Sequence, residues 1–223
     1  MSNFQLFLDS FFPMVKAALL VSVPMMLISF VLGLVVALIV ALGRMSKFKI
    51  ISAICYIYVW VIRGTPLLVQ IFIIFYGLPS IGVTFSPFVS AILALTISQG
   101  AYNSEVIRGA LMGIPKGQRE APQSLGMTKT QTLFHVIIPQ AALTAVPALG
   151  NSFISLLKDT SLTSVITVLD LFAVAKQISA RTYEPMLLYC EAALVYLIFS
   201  TALSFLQGKL EKKLGKHLEE DTE

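Results

Sequence analysis

AALLVSVPMMLISFVLGLVVALIVALG, residues 17–43, contains no ionisable side chain. A helix needs about 20 predominantly apolar residues to cross the hydrocarbon core of a bilayer, so this stretch predicts a membrane-spanning helix. Pro24 and Gly33 lie inside it, and spanning helices tolerate both residue types. Arg44, Lys47 and Lys49 follow at once. Short cytoplasmic loops carry the excess of Lys and Arg, so this end of the span is expected inside.

The rest of the chain agrees. Of its 223 residues 57% are hydrophobic and only 13% charged, where a soluble domain carries roughly 25% charged residues. Such a chain has polar surface only for the ends of its helices and for any aqueous path between them. The formal net charge is +4. The basic residues sit between apolar runs rather than clustering among aromatics, which argues against a nucleic-acid binder. Cys55 and Cys190 both fall within apolar runs, as free cysteines used as small apolar residues do, and no disulfide framework is expected. There is no signal-peptide cleavage pattern.

Outward from the first run, the sequence predicts an all-α integral membrane protein of about five spans. The second covers about 52–78 and is broken near Arg63. Pro66 lacks an N–H and crowds the carbonyl of Ile62, so a kink is expected there; the alternative is a surface elbow ending at Arg63, followed by a short span. Residues 88–107, 136–157 and 186–206 supply the others. Arg108, Lys116, Arg119 and Lys129 place the loop between the third and fourth spans in the cytoplasm, and Lys209, Lys212, Lys213 and Lys216 place the C-terminus there too. The N-terminus is then outside. This divides the chain into an extracytoplasmic segment 1–16, a membrane domain 17–206 and a cytoplasmic tail 207–223. The tail carries Leu206, Leu210, Leu214 and Leu218 at a spacing of four, one stripe of an amphipathic helix.

The cytoplasmic loop, about 113–135, reads as two short helical patterns around a glycine, entered by the turn Ile114-Pro115-Lys116-Gly117. Pro122 fits best in a first helical turn, where a missing N–H is harmless. Gly126 permits a backbone bend. The loop thus offers a rigid knob suited to a partner that pushes on it. Glu120-Ala121-Pro122-Gln123-Ser124-Leu125-Gly126, followed after nine residues by Val136-Ile137-Ile138-Pro139, resembles the EAA motif of ABC-importer permeases. That motif is Glu-Ala-Ala, three residues, Gly, nine residues, then Ile-x-Leu-Pro. Pro122, Val136 and Ile138 depart from it. The blocks Arg63-Gly64-Thr65-Pro66-Leu67-Leu68-Val69-Gln70, Asn151-Ser152-Phe153-Ile154-Ser155-Leu156 and Lys158-Asp159-Thr160-Ser161-Leu162 resemble the polar amino-acid branch of these permeases. The overall run, including Tyr189-Cys190-Glu191-Ala192-Ala193, is most similar in appearance to cystine permeases.

The resemblance implies a MetI-like importer permease fold. It implies a dimer, with a homodimer expected, docked on two ATP-binding subunits and fed by an extracytoplasmic amino-acid-binding protein in a prokaryotic cytoplasmic membrane. Glu120, Ala121, Gly126 and Met127 would then couple to the ATPase. ATP and Mg would be held by the partner, and no cofactor is expected in this chain, which has no Walker A sequence. Arg63, Gln70, Asn151, Ser155, Asp159, Thr160 and Glu191 are the expected solute-pathway residues. Charges at membrane depth face cavities or partners, and a zwitterion needs a cation for its carboxylate and acceptors for its ammonium. Arg63 with Asp159 or Glu191 would offer both. A local Lys158–Asp159 pair, an Arg63 that only snorkels and an i,i+3 pair of Glu105 with Arg108 are the plainer readings. His135 and His217 lack neighbours at ligand spacing, so no metal site is expected. A secondary transporter or a channel subunit without an ATPase is the competing function. Secondary transporters carry internal repeats, and none is visible here.

Overall fold

A computed structural model describes residues 3–220, and side-chain surroundings through residue 213; Leu214, Lys216, His217 and Leu218 of the predicted tail lie outside the described side chains. Every regular element among the described residues is helical. Helix α1, Asn3–Ala17, runs through a π-helical turn, Ala18–Ser22, into α2, Val23–Arg44. The N-terminal segment and the first span therefore form one helix of 42 residues.

Two further π-helical turns occur, Ile73–Gly77 and Leu133–Ile137. Each of the three ends two residues before a proline: Pro24, Pro79 and Pro139. A helical proline lacks a donor and its ring crowds the carbonyl four residues back. Those carbonyls belong to Leu20, Phe75 and His135, each at the middle of its wide turn. Widening the turn by one residue moves the crowded carbonyl aside without breaking the helix.

Of the two readings of the second predicted span, the elbow ending near Arg63 is the one the backbone adopts. Helix α3, Lys49–Gly64, and the helix that begins with α4, Leu67–Phe72, meet at 106°. That is an elbow, not a proline kink within one span. The reason is local: Thr65 and Pro66 are both extended, with ψ of 144° and 137°, as the restriction on a residue preceding proline favours. The chain leaves the helix instead of bending within it. Only Val59 of α3 is buried.

Helix α5, Pro87–Gly113, occupies the centre of the molecule and packs most extensively against α2. The two backbones approach closely because glycines face the contact. A Cβ on Gly33 would lie 2.8 Å from Gln99 Cβ, and one on Gly100 would lie 2.5 Å from Val36 Cγ1. Small residues serve this purpose where helices associate in lipid. The tyrosine hydroxyl of Tyr58 donates to Ile97 O at 2.6 Å, fixing α3 to α5.

Helices α6, Gly117–Ser124, and α7, Lys129–Thr132, form the loop after α5; α8, Ile138–Asp159, follows and ends in a 3₁₀ turn, Thr160–Ile166. Helix α9 is Leu171–Thr182 and α10 is Pro185–Glu220. Met25, Met26, Ile71, Leu95, Leu156 and Ile166 make the central apolar core. Leu6, Met14, Leu171, Leu188 and Val195 join α1, α9 and α10 at one end. Ala110, Leu111, Ile114, Ile137 and Ala141 join α5 to α8 at the other.

By length and apolar content, three continuous helices among the described residues can cross a membrane, and the bent pair would make four. Helix α5 is long enough at 27 residues. It is less apolar because Thr96, Ser98, Gln99, Asn103 and Ser104 are buried along it, where neighbouring helices shield them from lipid. Asp170 caps α9, its Oδ1 accepting from Ala173 N at 2.9 Å. The residue is wholly buried, and that burial pushes its carboxyl up to about 6.

Candidate functional site

The loop at 113–135 folds as a braced knob. Helix α6 starts at Gly117, so Pro122 lies in its second turn rather than its first. The sequence expectation fails there because the turn at 114–117 starts the helix early, and one intrahelical hydrogen bond is forgone. The helix then ends in a Schellman arrangement. Gly126 N donates to Gln123 O at 3.0 Å and Met127 N donates to Pro122 O at 3.0 Å. Gly126 has φ +91°, with nothing within 4 Å of where a Cβ would stand. Its glycine is therefore required by backbone conformation and not by crowding. Thr128 starts α7 with a reciprocal capping box: its Oγ1 accepts from Gln131 N, and Gln131 Oε1 accepts from Thr128 N at 2.9 Å.

No residue of α6 is buried, and Leu125 at its tip is 87% exposed. The knob nonetheless has a fixed base. Arg119 Nη2 donates to Leu111 O at the end of α5 (2.6 Å), and Gln140 Nε2 of α8 donates to Gln118 Oε1 (3.1 Å). Glu120 and Ala121 lie on the exposed helix, and Met127 is half-buried. The arrangement can receive a push and deliver it to two long helices at once.

The predicted pathway residues divide into two groups. Arg63, at the end of α3, is exposed and lies over the Tyr102 ring at 5.3 Å. Gln70 closes the elbow: its Nε2 donates to Ile62 O (2.8 Å), Thr65 O (3.1 Å) and Thr65 Oγ1 (3.0 Å). Its Oε1 is buried with no partner. Helix α4 packs on the 3₁₀ turn that Thr160 begins, so Gln70, Asp159 and Thr160 occupy one quarter of the molecule. Thr160 is buried, its Oγ1 donating to Leu157 O. Asp159 forms no ion pair with Lys158. Asn151 and Ser155 are exposed on α8, and Gln207 Nε2 reaches Asn151 Oδ1 at 3.4 Å. Glu191 stands apart. It is 2% exposed and lies 2.5 Å from Ser10 Oγ, in the contact of α10 with α1.

Two features were not read from the sequence. Glu105 pairs with Arg108 as its i,i+3 spacing suggests, and it also accepts from Arg44 Nη1 at the end of α2. This joins the ends of two long helices. Gln99 Oε1 accepts from Asn103 (3.1 Å) and from Ser152 Oγ (2.7 Å), linking α5 to α8 through a buried polar contact. The signal for it was Gln99 and Asn103 four apart in an otherwise apolar run.

The geometry is thus an exposed helical knob braced on two long apolar helices. Residues 33–216 match the family described as the binding-protein-dependent transport system inner membrane component, and the chain belongs to it. It is a permease subunit of an amino-acid ABC importer, and ATP hydrolysis belongs to a separate ATP-binding subunit. An L-cystine transport system permease protein of Bacillus subtilis is 46% identical over 94% of this chain and 90% of its own length. A nopaline transport system permease protein of Agrobacterium fabrum is 38% identical over 97% and 93%, and a glutamine transport system permease protein of Escherichia coli 36% over 82% and 84%. Among solved structures, an amino acid ABC transporter crystallised with histidines is similar at a TM-score of 0.81 and 35% identity, covering 94% of both chains. The fold is also shared with the MetNI methionine ABC transporter, at a TM-score of 0.67 and 19% identity over 95% of this chain and 97% of that one.

Proposed function

We propose that this chain forms the translocation pathway of an L-cystine importer in a prokaryotic cytoplasmic membrane, as a homodimer. It crosses the membrane about five times, with its N-terminus outside and its C-terminus inside. An ATP-binding subunit docks on the 117–127 knob and holds the ATP and Mg; an extracytoplasmic amino-acid-binding protein delivers the solute. The observation that carries this reading is the knob itself: an exposed helix with a left-handed glycine cap, fixed at its base to α5 and α8. A passive pore has no use for such a lever. The gathering of Arg44, Arg108, Arg119 and Lys129 at the knob's end of the helices supports the orientation. The assignment of cystine rests on the 46% identical relative that carries it.

Within the membrane domain, the wall formed by Arg63, Gln70, Ser155, Asp159 and Thr160 meets the solute, with Asn151 nearer the inner end. Arg63 serves a carboxylate, and Asp159 and the unpartnered Gln70 Oε1 serve an ammonium. Glu191 belongs to the pathway only if α1 moves away from α10. Coupling follows from two states of the helices, biased by a partner that binds them unequally. The test is transport by the assembled complex in proteoliposomes, with Asp159→Asn and Arg63→Gln beside wild type. The reading expects an assembled complex whose cystine uptake falls at least tenfold in each variant. Unchanged kinetics in both would refute the wall.

A further inference from the structure

Two cavities flank the Arg44–Glu105 contact, and of their lining residues the transport reading uses only Arg63, at the far end of the smaller one. The larger, about 860 Å³, opens where the end of α2, the start of α3 and the end of α5 meet. The smaller, about 420 Å³, continues along α3 as far as Arg63, and Arg44 and Tyr56 line both. Arg44, Lys49 and Arg108 face the first and Arg63 the second. Glu105 is the single carboxylate in either lining. It is already engaged, accepting from Arg44 Nη1 and from Arg108 Nη2 at 2.8 Å and Nε at 3.2 Å. Lys49 and Arg63 have no carboxylate partner among the described residues. Four cations around one satisfied anion leave a positive groove whose counter-charge is not found among the described residues.

The outer wall of the groove says which anion fits. Ile50, Ile54, Ile57 and Trp60 recur at helical spacing on α3 and are 77%, 62%, 55% and 66% exposed. A soluble phosphate would use the cations and leave this face bare. A phospholipid uses both, with its phosphate on the basic groups and its acyl chains along α3. Trp and Tyr side chains such as Trp60 and Tyr56 favour the headgroup level, and an amphipathic helix lies in that plane. We propose that the groove between α2, α3 and α5 binds the headgroup of an anionic phospholipid from the cytoplasmic leaflet, which seats the elbow helix on the membrane.

The test uses the full-length chain, purified in detergent and stripped of lipid, without ATPase or solute, so its failure leaves the transport reading untouched. Binding of phosphatidylglycerol is measured against phosphatidylcholine of the same acyl chains by native mass spectrometry. One basic group at a lipid surface is worth about five-fold in affinity. Phosphatidylglycerol should bind at least tenfold tighter than phosphatidylcholine. Lys49→Gln should weaken it about five-fold and Lys49→Glu about 30-fold, while Lys176→Glu on remote α9 leaves it unchanged. Lys49 is exposed and unpaired, so both variants should keep wild-type circular dichroism and elution volume. Equal binding of the two lipids, or wild-type affinity in the Lys49 variants, overturns the proposal. So does competition by soluble glycerol phosphate as strong as by the lipid, which marks a soluble-anion site. Loss of lipid binding when two chains associate also overturns it and assigns the α3 face to a second copy.

Discussion

Gly126 offers a perturbation whose size can be worked out in advance. Its φ of +91° lies in the left-handed region, and a Cβ there would meet nothing within 4 Å. Any cost of substitution is therefore conformational. An L-residue in the left-handed region costs about 1–2 kcal/mol, and Asn considerably less because its short polar side chain bonds locally. If docking requires the Schellman cap, Gly126→Ala should reduce the docking-competent population roughly 5- to 30-fold, since 1.4 kcal/mol is a factor of ten. Gly126→Val should be worse because branching stiffens the backbone. The assays are the affinity of the purified permease for its ATP-binding subunit, and substrate-stimulated ATP hydrolysis in proteoliposomes. The expected order is Gly, Asn, Ala, Val, with membrane insertion unaffected because α6 buries no residue. Asn is larger than Ala, so the order separates conformation from volume. Asn as poor as Val would mean that the partner needs space at this position, and Ala equal to Gly would mean that the cap is not needed at all.

The remaining predictions concern the membrane helices. Gly100→Ala should lower the unfolding temperature, because its Cβ would stand 2.5 Å from Val36 Cγ1 and overpacking costs about 1–3 kcal/mol. Val36→Ala added to it should restore part of the loss, and an unchanged melting curve in the single variant would contradict the packing argument. Gln70→Leu removes three hydrogen bonds that close the elbow, so trypsin should cut after Arg63 faster in the variant than in wild type; equal rates would deny Gln70 its clasp. Burial raises the Asp170 carboxyl from 3.8 to about 6, so the folded state holds the proton more tightly. Stability relative to Asp170→Asn should therefore fall as pH rises from about 4 through about 6 and be flat above. Asp170→Ala should be about 1 kcal/mol less stable than Asp170→Asn at every pH, because Asn keeps the cap and Ala does not. A wild-type-minus-Asn difference that does not vary with pH would rule out the burial argument.

The parts of this molecule that were legible in the sequence are those decided within a few residues. An uncharged run through 17–43 has no stable place except a bilayer or its equivalent. The glycine of the knob was legible because a left-handed turn is a local demand. The prolines were visible too, but the sequence could not distinguish a kink from a widened turn or an elbow. At Pro24, Pro79 and Pro139 the helix had room to widen. At Pro66 the preceding Thr65 went extended, and Gln70 held the resulting angle. The contacts that escaped notice are distant in sequence. Arg44 meets Glu105 across 61 residues, and Ser10 meets Glu191 across 181. Reading Glu191 as a pathway residue followed from its charge at membrane depth, which is as well explained by burial between α1 and α10.

The most direct test of the central claim is ATP hydrolysis by the reconstituted complex of this permease, its ATP-binding subunit and its amino-acid-binding protein, measured across a panel of amino acids. The account predicts stimulation by cystine above all others, abolished when the permease carries Gly126→Val. Hydrolysis that ignores every amino acid in a fully assembled complex, or that keeps its cystine response in the Gly126→Val variant, would contradict it.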